Sequence, residues 1–187
     1  MRRIVFQSTA VLFACTLASG CLLNSVRPVT AGAVLQPDSS HAIVVIGMGF
    51  EAPWQWPQFQ LTLPEYSVQK QGTAGTCFHY NRIDVVLPSN SAKRAYRVYK
   101  VPANAYAFPD LADTDLRASA EGGRAFVAPA NSVVYFGDFI VTGSKTIELR
   151  RDIRAARAGT VGLLPGEALK LAETISAPGA HIPLCTP

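Results

Sequence analysis

Between residues 41 and 149 the chain is a succession of short β-branched and alternating runs, and no other feature restricts its fold as strongly. Ala42-Ile43-Val44-Val45-Ile46 is continuously apolar. Phe59-Gln60-Leu61-Thr62-Leu63 alternates, and so does Tyr96-Arg97-Val98-Tyr99-Lys100-Val101. Runs at 83–87, 132–136, 139–141 and 146–149 have the same character, with shorter candidates at 77–80, 105–108 and 124–127. An alternation of period two is that of a strand with one buried face. Seven to nine such strands, separated by turn residues, predict a mainly β chain. The expected architecture is an antiparallel β-sandwich, Ig-like or transthyretin-like, each sheet keeping one wet face. Behind the strands, 152–158 and 165–174 have helix-forming composition, with Pro165 and Glu167 at a favoured helix start. One or two short C-terminal helices are therefore expected. The length of 187 residues fits one domain, and a hydrophobic fraction of 49% excludes an intrinsically disordered chain.

The first residues follow a different logic. Met1, Arg2 and Arg3 precede 23 residues without charge, 4–26, most apolar between 10 and 18. This is the layout of an export signal. It runs into Leu17-Ala18-Ser19-Gly20-Cys21, which resembles the lipobox of bacterial lipoproteins. In that family a peptidase cuts before the cysteine, and the cysteine sulfur carries a diacylglyceryl group. Small residues before the cut suit a narrow cleft. Cys15 closes a looser version of the pattern, after an apolar stretch too short to serve. Two alternatives stand beside this reading: a plain secretory signal, and an uncleaved helix, since 23 uncharged residues can cross a bilayer. Polar residues such as Gln7, Ser8, Thr9 and Asn24 make the span a poor one.

The lipoprotein reading divides the chain into a signal peptide (1–20), a lipidated N-terminus with a flexible tether (21–40) and a sandwich domain (41–187). Pro28, Gly32 and Pro37 mark the tether. Fully extended, residues 22–40 would reach about 65 Å at about 3.4 Å per residue. One acyl chain binds a membrane reversibly, whereas two or more hold a protein there. The family's sorting rule reads the residue after the cysteine. Leu22, not Asp, implies the outer membrane in a host with two membranes, the domain facing the periplasm or the surface.

The chain carries a net charge of +4, which falls to +2 once Arg2 and Arg3 leave with the signal. That is too small a field to attract nucleic acid, and no nucleic-acid partner is expected. With Cys15 in the signal and Cys21 as anchor, Cys77 and Cys185 remain in an oxidising compartment and are expected to form a disulfide. The alternative is two buried free thiols. Such a bridge would close a loop of about 100 residues and contribute about 4 to 5 kcal/mol in the chain-entropy view.

The remaining motifs read as structural. Gly47-Met48-Gly49-Phe50-Glu51-Ala52 matches the glycine pattern of a dinucleotide loop, but that loop needs a helix behind it. Pro53-Trp54-Gln55-Trp56-Pro57 follows instead, so a glycine-bearing strand end is expected. Trp54, Trp56 and Phe59 form an aromatic group that either binds glycan or protein or, the preferred reading, packs on the sandwich edge. Arg150, Arg154 and Arg157 would share a helix face, able to meet anionic lipid but better read as a solvated face. Asp110, Asp113 and Asp115 lie in a loop lacking the glycine and final glutamate of a calcium loop. Cys77 and His79 lack a second ligand pair for zinc. His41, His79 and His181 are scattered, and no Gly-x-Ser-x-Gly elbow is present. No catalytic, cofactor-binding or metal residue is assigned, and no cofactor is expected.

Val101-Pro102-Ala103-Asn104-Ala105-Tyr106-Ala107-Phe108 and Val127-Ala128-Pro129-Ala130-Asn131-Ser132-Val133-Val134-Tyr135-Phe136-Gly137-Asp138-Phe139 together resemble a group of uncharacterised bacterial lipoproteins with a small β-sandwich domain. The resemblance spans about residues 95–158, including the helix start at Arg151-Asp152-Ile153. It implies the fold and says almost nothing of activity. Ala103-Asn104 and Ala130-Asn131 depart from the group's Pro-Gly or Gly, and asparagine tolerates the left-handed backbone such turns need. In a regular strand Tyr135 and Gly137 would share one face, Phe136 and Asp138 the other, and a strand glycine often marks a bulge. The expected function is that of a lipid-anchored cell-envelope protein, a non-enzymatic binding or structural module whose partners are the membrane and envelope proteins or glycans. The alternatives are an envelope enzyme acting on glycan or peptide, and a lipid or glycolipid carrier.

Overall fold

The computed structural model of the chain describes residues 24–26, 28–29, 35–75, 80–90, 94–108, 115–118, 124–143, 146–164, 168–178 and 180. The strands are β1 (Asn24–Val26), β2 (His41–Phe50), β3 (Gln58–Ser67), β4 (Gly72–Thr73), β5 (Asn81–Pro88), β6 (Arg94–Pro102) and β7 (Asn104–Ala107). Then follow β8 (Asp115–Ala118), β9 (Ala125–Ala128), β10 (Val133–Val141), β11 (Thr146–Arg150), the helix α1 (Ile153–Gly159), β12 (Leu169–Leu171) and β13 (Thr174–Ile175). They form two sheets. One has the order β1-β5-β3-β7-β9-β13, with β4 on β3. The other has the order β6-β2-β10-β11-β8, with β12 on β10.

The sandwich core follows from the alternation. Ala42, Val44, Ile46 and Met48 of β2 and Phe59, Leu61 and Leu63 of β3 meet between the sheets. Gln58 and Gln60 on the other face of β3 are exposed. At the centre Phe126 stacks on Phe136 with ring centroids 4.2 Å apart, and Phe139 and Phe108 close around Phe136. Such ring pairs add about 0.5–1.5 kcal/mol beyond the area they bury.

The second sheet departs from expectation in strand direction. β2 and β10 lie parallel through its centre, and β12 on β10, β8 on β11 and β1 on β5 are parallel too. The sandwich is therefore mixed rather than antiparallel. Alternation reports which face is dry and carries no information on direction, because the side-chain period is two in both arrangements. The central parallel pair is covered on both sides. Ile43, Val45 and Tyr135 point away from the core and are sealed by Ala156 of α1 with Leu164 and Leu169.

One helix forms where one was expected. Asp152 caps it, accepting hydrogen bonds from the backbone N–H of Arg154 (3.0 Å) and of Ala155 (3.1 Å). Within the second expected helix, 165–174, Leu169–Leu171 is instead a strand that pairs with Val133–Tyr135. Leu169 is fully buried against the outer face of the sheet, and that burial outweighs a helix propensity of tenths of a kcal/mol per residue.

The described segments nearest the two ends act as straps between the sheets. Asn24–Val26 runs along β5, and Val29 then donates its backbone N–H to Val98 of β6 at 2.8 Å. At the other end β12 lies on β10, after which Glu173 accepts from Val127 at 2.9 Å and β13 joins β9. The described parts of the segment read as a tether thus lie along the domain.

Candidate functional site

Strand β10 holds the least ordinary chemistry. Its register against β2 slips between Tyr135 and Gly137, which face Val45 and Ile46. Phe136 is the extra residue of a β-bulge. The bulge overturns the regular alternation of 135–138. Phe136 and Phe139 both enter the inter-sheet core, while Asp138 joins Tyr135 on the outer face. Arg151 holds the bulge, its Nε donating to the Phe136 carbonyl at 3.0 Å and its Nη2 to the carbonyl of Ala172 in the C-terminal strap.

Asp138 sits opposite Gly47, which in turn pairs with Tyr96. A Cβ placed on Gly47 would overlap Asp138 Oδ1, so the glycine of the strand-end motif makes room for the carboxyl. A Cβ on Gly159 of α1 would overlap the Tyr96 ring. Arg94 Nη1 reaches Asp138 Oδ2 at 3.3 Å from the rim, where its side chain is 32% exposed and the aspartate is 0% exposed. Among the described residues, neither carboxylate oxygen nor the Tyr96 hydroxyl has a hydrogen bond of good geometry. Burial pushes the Asp138 carboxyl above its ordinary value, and the nearby Tyr135 hydroxyl and Arg94 guanidinium offset this only in part. Burial also raises Tyr135 and Tyr96, with the aspartate charge adding to the effect. The carboxyl is fully buried between α1 and the sheet. Its chemistry acts on packing.

The surface presents its aromatic chemistry at one end of the sandwich. Trp54 meets Phe59 edge-on at 5.3 Å and donates its Nε1–H to the Gln58 carbonyl at 3.0 Å. Trp56, two residues on, is 59% exposed. The aromatic group is therefore split: Trp54 and Phe59 pack, and Trp56 projects. Gln55, Pro57, Gln58 and Gln60 around it are exposed and uncharged. At the opposite end, an open depression of about 340 Å³ lies between Leu35, Pro37, Asn131 and Lys170. Asn131 there adopts φ 56°, the left-handed turn expected of it. Beside it Asp38 is held far below the usual carboxylate range by Lys100 (2.8 Å), His41 (2.9 Å) and Ser40.

The expected basic face is dismantled. Arg150 ends β11 and pairs with Glu51 (2.5 Å) and Glu148 (2.8 Å). Arg157 donates to the Leu169 carbonyl at 3.0 Å. Arg154 is exposed on α1. Gly47 and Gly49 lie within β2 and no helix follows them. Cys21, Cys77 and Cys185, with His79, His181, Asp110 and Asp113, lie outside the described residues. Among the described residues, no three metal-ligating side chains gather and no helix is long and apolar enough to cross a membrane. The buried Asp138 escaped sequence reasoning because a one-residue slip reverses which side chains face outward; the signal was Gly137, a glycine inside an aromatic strand. No family model, curated protein or solved structure matches the chain.

Proposed function

We propose that the chain is a lipid-anchored bacterial cell-envelope protein, attached through Cys21 and working as a non-enzymatic binding or structural module, with the outer membrane as its place. The observation that carries this reading is where the fold starts relative to the lipobox. The first strand begins at Asn24, three residues after Cys21, so processing before the cysteine leaves the whole sandwich intact. The strand motif of 127–139 supports the same reading by resemblance. The exposed Trp56, held on a proline-flanked loop by its packed neighbours, suits a module that meets a partner outside the sandwich.

The test is intact mass and membrane fractionation of the wild type beside Cys21→Ser. The wild type should carry the mass of acyl chains and sediment with membranes, and the variant should do neither. Identical masses and identical solubility would end the lipoprotein reading. Peptide mapping without reductant tests the proposed Cys77–Cys185 bond, which two alkylatable thiols would disprove.

A further inference from the structure

We infer that the domain rests directly on the lipid surface through the end bearing the β3–β4 turn, with the Trp56 loop held away from the membrane. The inference builds on the proposed lipid anchor at Cys21. It starts from the length of chain between anchor and fold. Leu22 and Leu23 alone separate Cys21 from β1, and three residue steps span at most about 10 Å. The reach of about 65 Å expected of a free tether is lost once Asn24 is paired.

The register then fixes which end faces the lipid. β1 is parallel to β5, with Asn24 beside Asn81, so the short link from Cys21 joins the domain at the start of β5. Strand β3 runs antiparallel to β5, with Pro64 facing Arg82, and continues past the start of β5 to Ser67. The turn from β3 into β4, residues 68–71, therefore projects toward the anchor. Val68 is 54% exposed there, and Lys70 is exposed two residues on. An apolar side chain beside an ammonium matches the headgroup boundary of an anionic bilayer, where the one enters and the other meets phosphate. The far end of β5, at Pro88, pairs with Gln58 next to the Trp56 loop. Eight residues of β5 place that loop about 25 Å from the anchored end. The lipid surface is thus the occupant of the Val68 end, and the opposite end is left for other partners.

The test uses the full chain, purified from bacterial membranes in detergent and returned to phosphatidylethanolamine–phosphatidylglycerol vesicles with brominated acyl chains, which quench nearby indoles. Trp54 and Trp56 are the native tryptophans, so the wild type reports the far end. Val68→Trp adds a reporter at the near end, on an exposed turn where it leaves the core untouched. Intact mass is read first. Quenching of the acylated Val68→Trp protein should exceed that of the wild type by at least about twofold. Equal quenching in acylated, vesicle-bound samples would overturn the inference and leave the anchor standing. An unacylated Cys21 without vesicle binding would overturn both.

Discussion

Asp138 shows how much one residue's surroundings can demand. Its carboxyl is fully buried beside Arg94, Tyr96 and Tyr135, and burial raises its pKa. A carboxyl whose folded pKa lies above its unfolded value stabilises the fold least when ionised: stability falls as pH rises from the unfolded value of 3.8 through the raised folded one. Asp138→Asn keeps the shape and removes this titration. We predict that the variant gains on the wild type as pH rises above 3.8, because the buried carboxyl must then ionise only in the wild type. Urea midpoints across that range check it, and parallel curves for the two proteins would refute it. Gly47→Ala is expected to cost about 1–3 kcal/mol at any pH, because the added Cβ overlaps Asp138 Oδ1. A loss no larger than at an exposed site would mean the carboxyl has room to move.

Among the elements, β10 depends on support from outside its ladder. The bulge leaves the Phe136 carbonyl to Arg151, which also holds Ala172. Replacing Arg151 by Ala removes two charge-assisted hydrogen bonds to buried backbone, each of which typically contributes about 1.5–3 kcal/mol. We expect a loss of at least about 2 kcal/mol, with faster amide exchange at Ala172, which donates to the Tyr135 carbonyl, and at Val127, which donates to Glu173 of the C-terminal strap. Unchanged exchange there would show that the strap holds without the arginine. The helix α1 is short, seven residues, and its cap is correspondingly important. Asp152→Ala should cost about 1 kcal/mol and loosen the cover over Tyr135 and Val45, read as exchange in β2 and β10.

For the molecule as a whole, the straps decide how the sandwich ends. Asn24–Val26 and Val29 lie on β5 and β6, and an uncovered strand edge invites pairing with another chain. A protein trimmed to begin after Val29 should self-associate at concentrations where the longer chain stays monomeric, as light scattering would show. A monomeric trimmed protein would mean that the edges are protected otherwise. The same strap begins three residues after Cys21, so the trimmed segment is also what would link the fold to the proposed anchor.

Much of this was legible beforehand, and the reasons differ by residue. The apolar run at 42–46 and the alternation at 59–63 announced the strands, because burial on a sheet face writes a period of two into the chain. The helix-forming composition of 152–158 announced α1, and the Asp152 cap emerged with the structure. The proposed address rests on the local Leu17–Cys21 pattern alone and does not depend on the fold. Three-dimensional packing decided the rest. Whether β2 and β10 run parallel depends on pairing across more than eighty residues, which no local period encodes. Leu169 became a strand residue because a neighbouring sheet offered it burial, and Asp138 turned outward because Phe136 bulged. Local chemistry therefore determined most of the strands and the one helix, while the strand at Leu169, strand direction, register and the course of the straps follow from contacts between residues far apart in sequence, whose free energy exists only once the sheets have met.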